Sequence, residues 1–138
     1  MKRNVKNRTI FCKDNLEILR GFNSNSIDLI YLDPPFNKKK YFIAPVGSAA
    51  EGADFHDYFR KGDVKEEWLG LIADQYPSLH NYIQGIGDIG HISNKYYLCY
   101  MAVRIIEMRR VLKDTGSLYP HCDPLMSHYL KLLLDCIF

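Results

Sequence analysis

Much that would narrow the field is missing from this sequence. Its four cysteines, at positions 12, 99, 122 and 136, include no CxxC pair, and no secretory leader precedes them. That excludes a disulfide frame and a cysteine zinc site and predicts reduced thiols in apolar surroundings. No apolar run approaches the roughly 18 residues that a membrane span requires, so a soluble, cytoplasmic chain without a membrane partner is expected. The net charge of +2 is too small to imply a nucleic-acid partner by itself. Its distribution says more: Lys2, Arg3, Lys6, Arg8 and Lys13 cluster near the start, and Lys38, Lys39 and Lys40 form a run. The plain reading of such runs is a solvated face. What is present is ordinary for a globular protein, with 47% hydrophobic and 25% charged residues over 138 positions, enough for one domain with its own core.

One stretch organises the rest. Ile27, Leu29, Ile30 and Leu32 make a short apolar run suited to a buried parallel strand, and it breaks at Asp33-Pro34-Pro35-Phe36-Asn37. Proline cannot donate to a sheet ladder and forces extended backbone on the residue before it. The strand therefore ends there, with a carboxylate, stiff peptide carbonyls and an aromatic ring at the edge where open α/β sheets bind ligands.

Taken in order, Thr9–Cys12 is β-prone, and Asp14 with Glu17 three residues later has the spacing of a helix-capping box. Leu16, Ile18, Leu19 and Phe22 supply that helix with apolar residues, and Gly21 ends it. Strand, helix and strand predict a βαβ unit with Asp14 and Asp33 on one sheet edge. Residues 38–94 read as an irregular and helical insertion. They hold the aromatic set Tyr41, Phe42, Phe55, Tyr58 and Phe59, then a helix from about Glu66 to Gln75, and a second over 78–84. Gly85–Gly90 matches G-x-G-x-x-G, but Tyr82-Ile83-Gln84 is a poor strand, so glycine turns are expected rather than a phosphate cradle. From Lys95 to Lys113, Leu98, Met101, Ile105, Met108 and Leu112 form one apolar stripe, with Arg104 and Glu107 paired on other faces and Gly116 as the stop. Ser117-Leu118-Tyr119 reads as a third strand, running into Pro120–Pro124, and a last helix carries Leu125 to Cys136. His121, Cys122 and Asp123 lack the further ligands or placed base that metal or nucleophilic chemistry needs, so no metal site is assigned and a strand-end turn is expected.

The Asp33 corner has a chemical logic. An exocyclic amine on a base ring is a weak nucleophile because its lone pair is delocalised. Two acceptors on its N–H groups, the Asp33 carboxylate and the carbonyl fixed beside Pro34, would draw it towards tetrahedral geometry, and Phe36 could stack on a flipped-out base. Such a site works by positioning and electrostatics.

Asp33-Pro34-Pro35-Phe36 resembles the catalytic motif of amino-methyltransferases acting on DNA bases. With Lys13–Glu17 before it, and Met101–Lys113, Gly116–Tyr119, His121–Pro124 and His128–Lys131 after it, the chain resembles the β-type adenine-specific enzymes of the N-4/N-6 DNA methylase family. The resemblance implies a partial Rossmann-like α/β fold, with a mainly parallel sheet of about three strands and flanking helices. It also implies methyl transfer from S-adenosylmethionine to adenine N6 in double-stranded DNA, as in restriction–modification systems. Catalytic roles would fall to Asp33, Pro34, Pro35 and Phe36, cofactor contact to Asp14, and DNA contact to Asn37, Lys38, Lys39 and Lys40.

The departures carry their own expectations. Lys13 stands where the family usually has glycine, and Pro120 where leucine is common. Neither the target-recognition region nor the F-x-G-x-G cofactor loop is found in residues 1–138. The chain is accordingly read as an N-terminal portion, weak or inactive alone, whose partner would be a complementary methyltransferase chain or a restriction subunit. A non-catalytic remnant that binds DNA or protein, and an RNA adenine methyltransferase, are the alternatives.

Overall fold

The structure, a computed structural model, describes residues 4–138; Lys2 and Arg3 of the basic cluster lie outside the described residues. In chain order the elements are α1 (Asn15–Arg20), β1 (Ile27–Leu32), β2 (Lys40–Ile43), β3 (Asp54–Asp57), a 3-10 turn (Lys61–Asp63), α2 (Glu66–Gln75), α3 (Pro77–Asp88), α4 (Ile92–Val111), β4 (Leu112–Pro120) and α5 (Pro124–Ile137). Asp14 caps α1 through a bond from the Leu16 amide (2.8 Å), Gly21 closes it, and Pro77 and Pro124 begin α3 and α5, where their missing N–H costs nothing.

Helix α4 is the centre. The sequence predicts one apolar stripe, but Tyr97, Leu98, Cys99, Met101, Ala102, Val103, Ile105, Ile106 and Met108 are all buried, and so is Arg104. Burial thus runs around the middle of the helix rather than along one stripe, and α1, α2, α3, α5 and β4 pack about it. Arg104 does not pair with Glu107 on an outer face. It turns inward to Asp14, while Glu107 takes Arg110.

The expected glycine turns over 85–90 are mostly helix, since α3 runs to Asp88 and only Gly90 takes a positive φ, of 92°. The reason is close packing. A Cβ on Gly87 would stand 2.5 Å from the Lys95 side chain, so the glycine lets α3 approach α4.

Three strands were expected in one mainly parallel sheet; the parallel sheet has two. β1 pairs with β4, with Ile30 opposite Leu118 and Leu32 opposite Pro120. Thr9–Cys12 forms no strand, so the predicted βαβ unit is absent. Its two large apolar side chains, Ile10 at 95% and Phe11 at 45% exposure, bury too little to order a ladder. β1 is covered on one face only: Ile30 and Leu32 pack on the core, while Leu29 and Tyr31 are exposed. Nor does Gly116 end a helix. It lies inside β4, where the register shifts opposite Asp28 and a Cβ would meet the Leu112 side chain at 2.7 Å and the Asp28 carbonyl at 3.0 Å.

The segment after Phe36 is more regular than its sequence suggests. β2 and β3 form a separate antiparallel hairpin with Phe42 opposite Phe55, closed by a loop in which Gly47 and Gly52 both take positive φ. The expected helix over 66–75 forms within the stated bounds.

Candidate active site

β1 and β4 run parallel and finish side by side, the His121 amide donating to the Leu32 carbonyl (2.7 Å). This brings Asp33–Phe36 and the His121–Asp123 turn to one sheet edge, as the two proline corners suggest. A cavity of about 560 Å³ opens there, lined by Asp33, Pro34, Pro35, Phe36, Lys38, Phe42, Phe55, Asp57 and His121. Asp33 is exposed, so its carboxylate is available to a ligand. Phe36 is half-buried and meets the His121 imidazole nearly edge-on, with centroids 5.4 Å apart and planes at 62°. Lys38 Nζ sits 5.1 Å from the Phe36 ring centroid and 3.7 Å from Asp123. Asp123 in turn caps α5 through the Leu125 amide (2.8 Å). The His-Cys-Asp sequence is therefore a turn of this site, and among the described residues no group of three His, Cys, Asp or Glu is placed to hold a metal.

Behind the corner lies a network that the sequence did not announce. The Asp57 carboxylate is buried and accepts from the amides of Asn37 (2.7 Å) and Lys38 (3.1 Å), and its backbone carbonyl accepts from the Lys39 amide (2.7 Å). Asn37 is buried too. Its amide nitrogen donates to Asn94 and its oxygen accepts from the Ser93 hydroxyl, both at 2.9 Å. Asn37 and Lys39 hold φ values of 57° and 58°, a left-handed backbone that non-glycine residues keep only where surrounding bonds over-determine it. The Asn37 side chain thereby ties the corner to α4. Lys38 lines the cavity, and Lys39 and Lys40 stay exposed. Tyr97 lies in the buried interior. Burial, reinforced by Cys122, Asp57 and Asp123, holds its phenol protonated far above the usual range, and its hydroxyl has no hydrogen-bond partner among the described residues.

Asp14 stands apart from this cavity. One carboxylate oxygen accepts from Leu16 and the other from Arg104 (2.7 Å). Arg104 also donates to Asn15 (3.0 Å) and to the Tyr100 carbonyl (2.9 Å), and lies 3.4 Å from the Tyr100 ring centroid. Burial lowers the Arg104 pKa, and Tyr100 and Asp14 oppose that shift.

The Asp33-Pro34-Pro35-Phe36 corner thus stands at the C-terminal end of a parallel strand, beside a cavity lined in part by Phe36, Phe42 and Phe55. Residues 27–138 match the N6_N4_Mtase family model, described as DNA methylase, and the chain belongs to that family. It is 30% identical over 129 residues to the Mod subunit of the type III restriction-modification enzyme StyLTI from Salmonella typhimurium, an alignment covering 91% of this chain and 17% of that subunit. It is 26% identical over 133 residues to the type II methyltransferase M.KpnI from Klebsiella pneumoniae, covering 94% of this chain and 24% of the relative. The chain thus spans 17% and 24% of the lengths of these two relatives.

Proposed function

We propose that this chain supplies the amine-binding part of a DNA adenine-N6 methyltransferase of the restriction–modification kind, using S-adenosylmethionine. The observation that carries the reading is the exposed Asp33 carboxylate, which lines the same cavity as Pro34 and a Phe36 ring packed on His121. Asp33 accepts one N–H of the adenine amine and the Pro34 carbonyl the other, which localises the nitrogen lone pair and aims it away from the ring. Phe36 stacks on the base, and His121 and Lys38 hold Phe36 in place. The nucleotide enters flipped out of its stack.

The residues described do not suit the methyl donor equally well. Asp14, the candidate for cofactor contact, already has both oxygens engaged, by Leu16 and Arg104. No step is assigned through the cofactor, whose main contacts are proposed to come from further polypeptide. The chain alone should give no methyl incorporation from labelled S-adenosylmethionine into adenine-containing DNA; robust incorporation would remove the need for that partner.

The amine reading has a direct test. Oligo(dA) should bind several-fold tighter than oligo(dI), whose base lacks the exocyclic amine, and Asp33→Ala should erase the difference. Equal binding of the two by the unsubstituted chain refutes the amine site. Both affinities should weaken with salt as phosphate contacts are screened.

A further inference from the structure

We infer that the β2–β3 hairpin is a second wall of the base pocket, with Phe42 and Phe55 as its stacking face for the adenine ring. The inference rests on the reading of the Asp33 corner as an adenine-amine site. Phe42 and Phe55 are directly paired across the hairpin, and side chains alternate along each strand, so both lie on the face that also carries Asp57. All three line the cavity that holds Asp33 and Phe36. The two rings are nearly parallel, with centroids 4.9 Å apart and planes at 14°. They are not part of the hydrophobic core, and their exposures are 39% and 57%. Cross-strand pairing of the two rings steadies the hairpin, and both rings also face the cavity that Asp33 and Phe36 line.

The hairpin is also fastened to the motif. Asp57, its last residue, binds the amides of Asn37 and Lys38, which directly follow Phe36. The Phe42–Phe55 face and the Phe36 ring are therefore held in a common frame. An adenine has a π-face for aromatic partners and an edge amine for Asp33, so one ring can satisfy both walls.

The test uses the full chain with 2′-deoxyadenosine 5′-monophosphate, oligo(dA) and the photoprobe 8-azido-2′-deoxyadenosine 5′-monophosphate. Phe42→Leu and Phe55→Leu keep apolar bulk but remove the aromatic face, and circular dichroism checks that the fold is retained. Their combination should weaken oligo(dA) binding about tenfold or more, and Phe42→Trp with Phe55→Trp should restore it. Photolabel should fall on peptides containing Phe42 or Phe55 as well as Phe36. If Asp33→Ala and Phe36→Leu weaken binding while the hairpin variants bind normally, or if label avoids the hairpin, the hairpin assignment fails and the amine site stands. If the unsubstituted chain neither binds nor labels, both fail.

Discussion

Asp14 serves two masters with its two oxygens, and the consequences separate cleanly by substitution. Asparagine keeps a capping oxygen for Leu16 but removes the charge facing Arg104, whose side chain is only 3% exposed. Loss of a partner from a buried pair can cost 3–5 kcal/mol, but Asp14 is itself 47% exposed, so water already shares its charge. Asp14→Asn should cost about 1–2 kcal/mol, and Asp14→Ala about 1 kcal/mol more through the lost cap. Urea unfolding midpoints at unchanged slope would measure both; equal midpoints for the two variants would show that the cap contributes nothing. Arg104 was legible in the sequence as a helical charge, but not as an interior one. Its partner lies 90 positions away, and no local spacing rule reaches that far.

Among the elements, β4 depends on a glycine for a reason of space. Gly116 lets the bulged strand approach Asp28 while Leu112 stays buried beneath it. The neighbour in the way includes a backbone carbonyl, which cannot rotate aside. Gly116→Ala should therefore destabilise by about 1–3 kcal/mol, the usual cost of overpacking, read as a drop in thermal midpoint. An unchanged midpoint would mean that the β1–β4 register relaxes freely. Gly87 differs, because a Cβ there meets the flexible Lys95 side chain. The β2–β3 hairpin was invisible as a period because its strands are four residues each and are interrupted by Lys40, Asp54 and Asp57. Its register comes from pairing across a loop and from the Asp57 anchor, not from an alternating apolar face.

At the scale of the whole molecule, stability should fall in alkali. Burial pushes the Cys99 thiol up to about 12 and the Tyr82 phenol to about 12. Between their ordinary values, about 9 and 10, and 12, the unfolded chain releases protons that the folded chain keeps. Unfolding is then favoured as pH rises, by about 1.4 kcal/mol per pH unit for each group. Below pH 8 neither group contributes. Denaturant titrations from pH 8 to 11 should show this decline, and Cys99→Ala should make it shallower from pH 9 upward. A slope unaffected by that variant would place the alkaline sensitivity elsewhere.

The sequence by itself determined the Asp33-Pro34-Pro35-Phe36 corner, the β1 and α2 spans and the paired strand ends, because proline stiffness and short apolar runs act on neighbours in the chain. It carried the family resemblance for the same reason: the motif residues and their order are local text. Tertiary structure decided what lies around that corner. It brought Phe42, Phe55 and Asp57 to the cavity, joined Asn37 to α4, and tied Asp14 to Arg104. Those outcomes depend on contacts between residues from 13 (Phe42 to Phe55) to 90 (Asp14 to Arg104) positions apart, where packing and the satisfaction of buried polar groups outweigh any local preference.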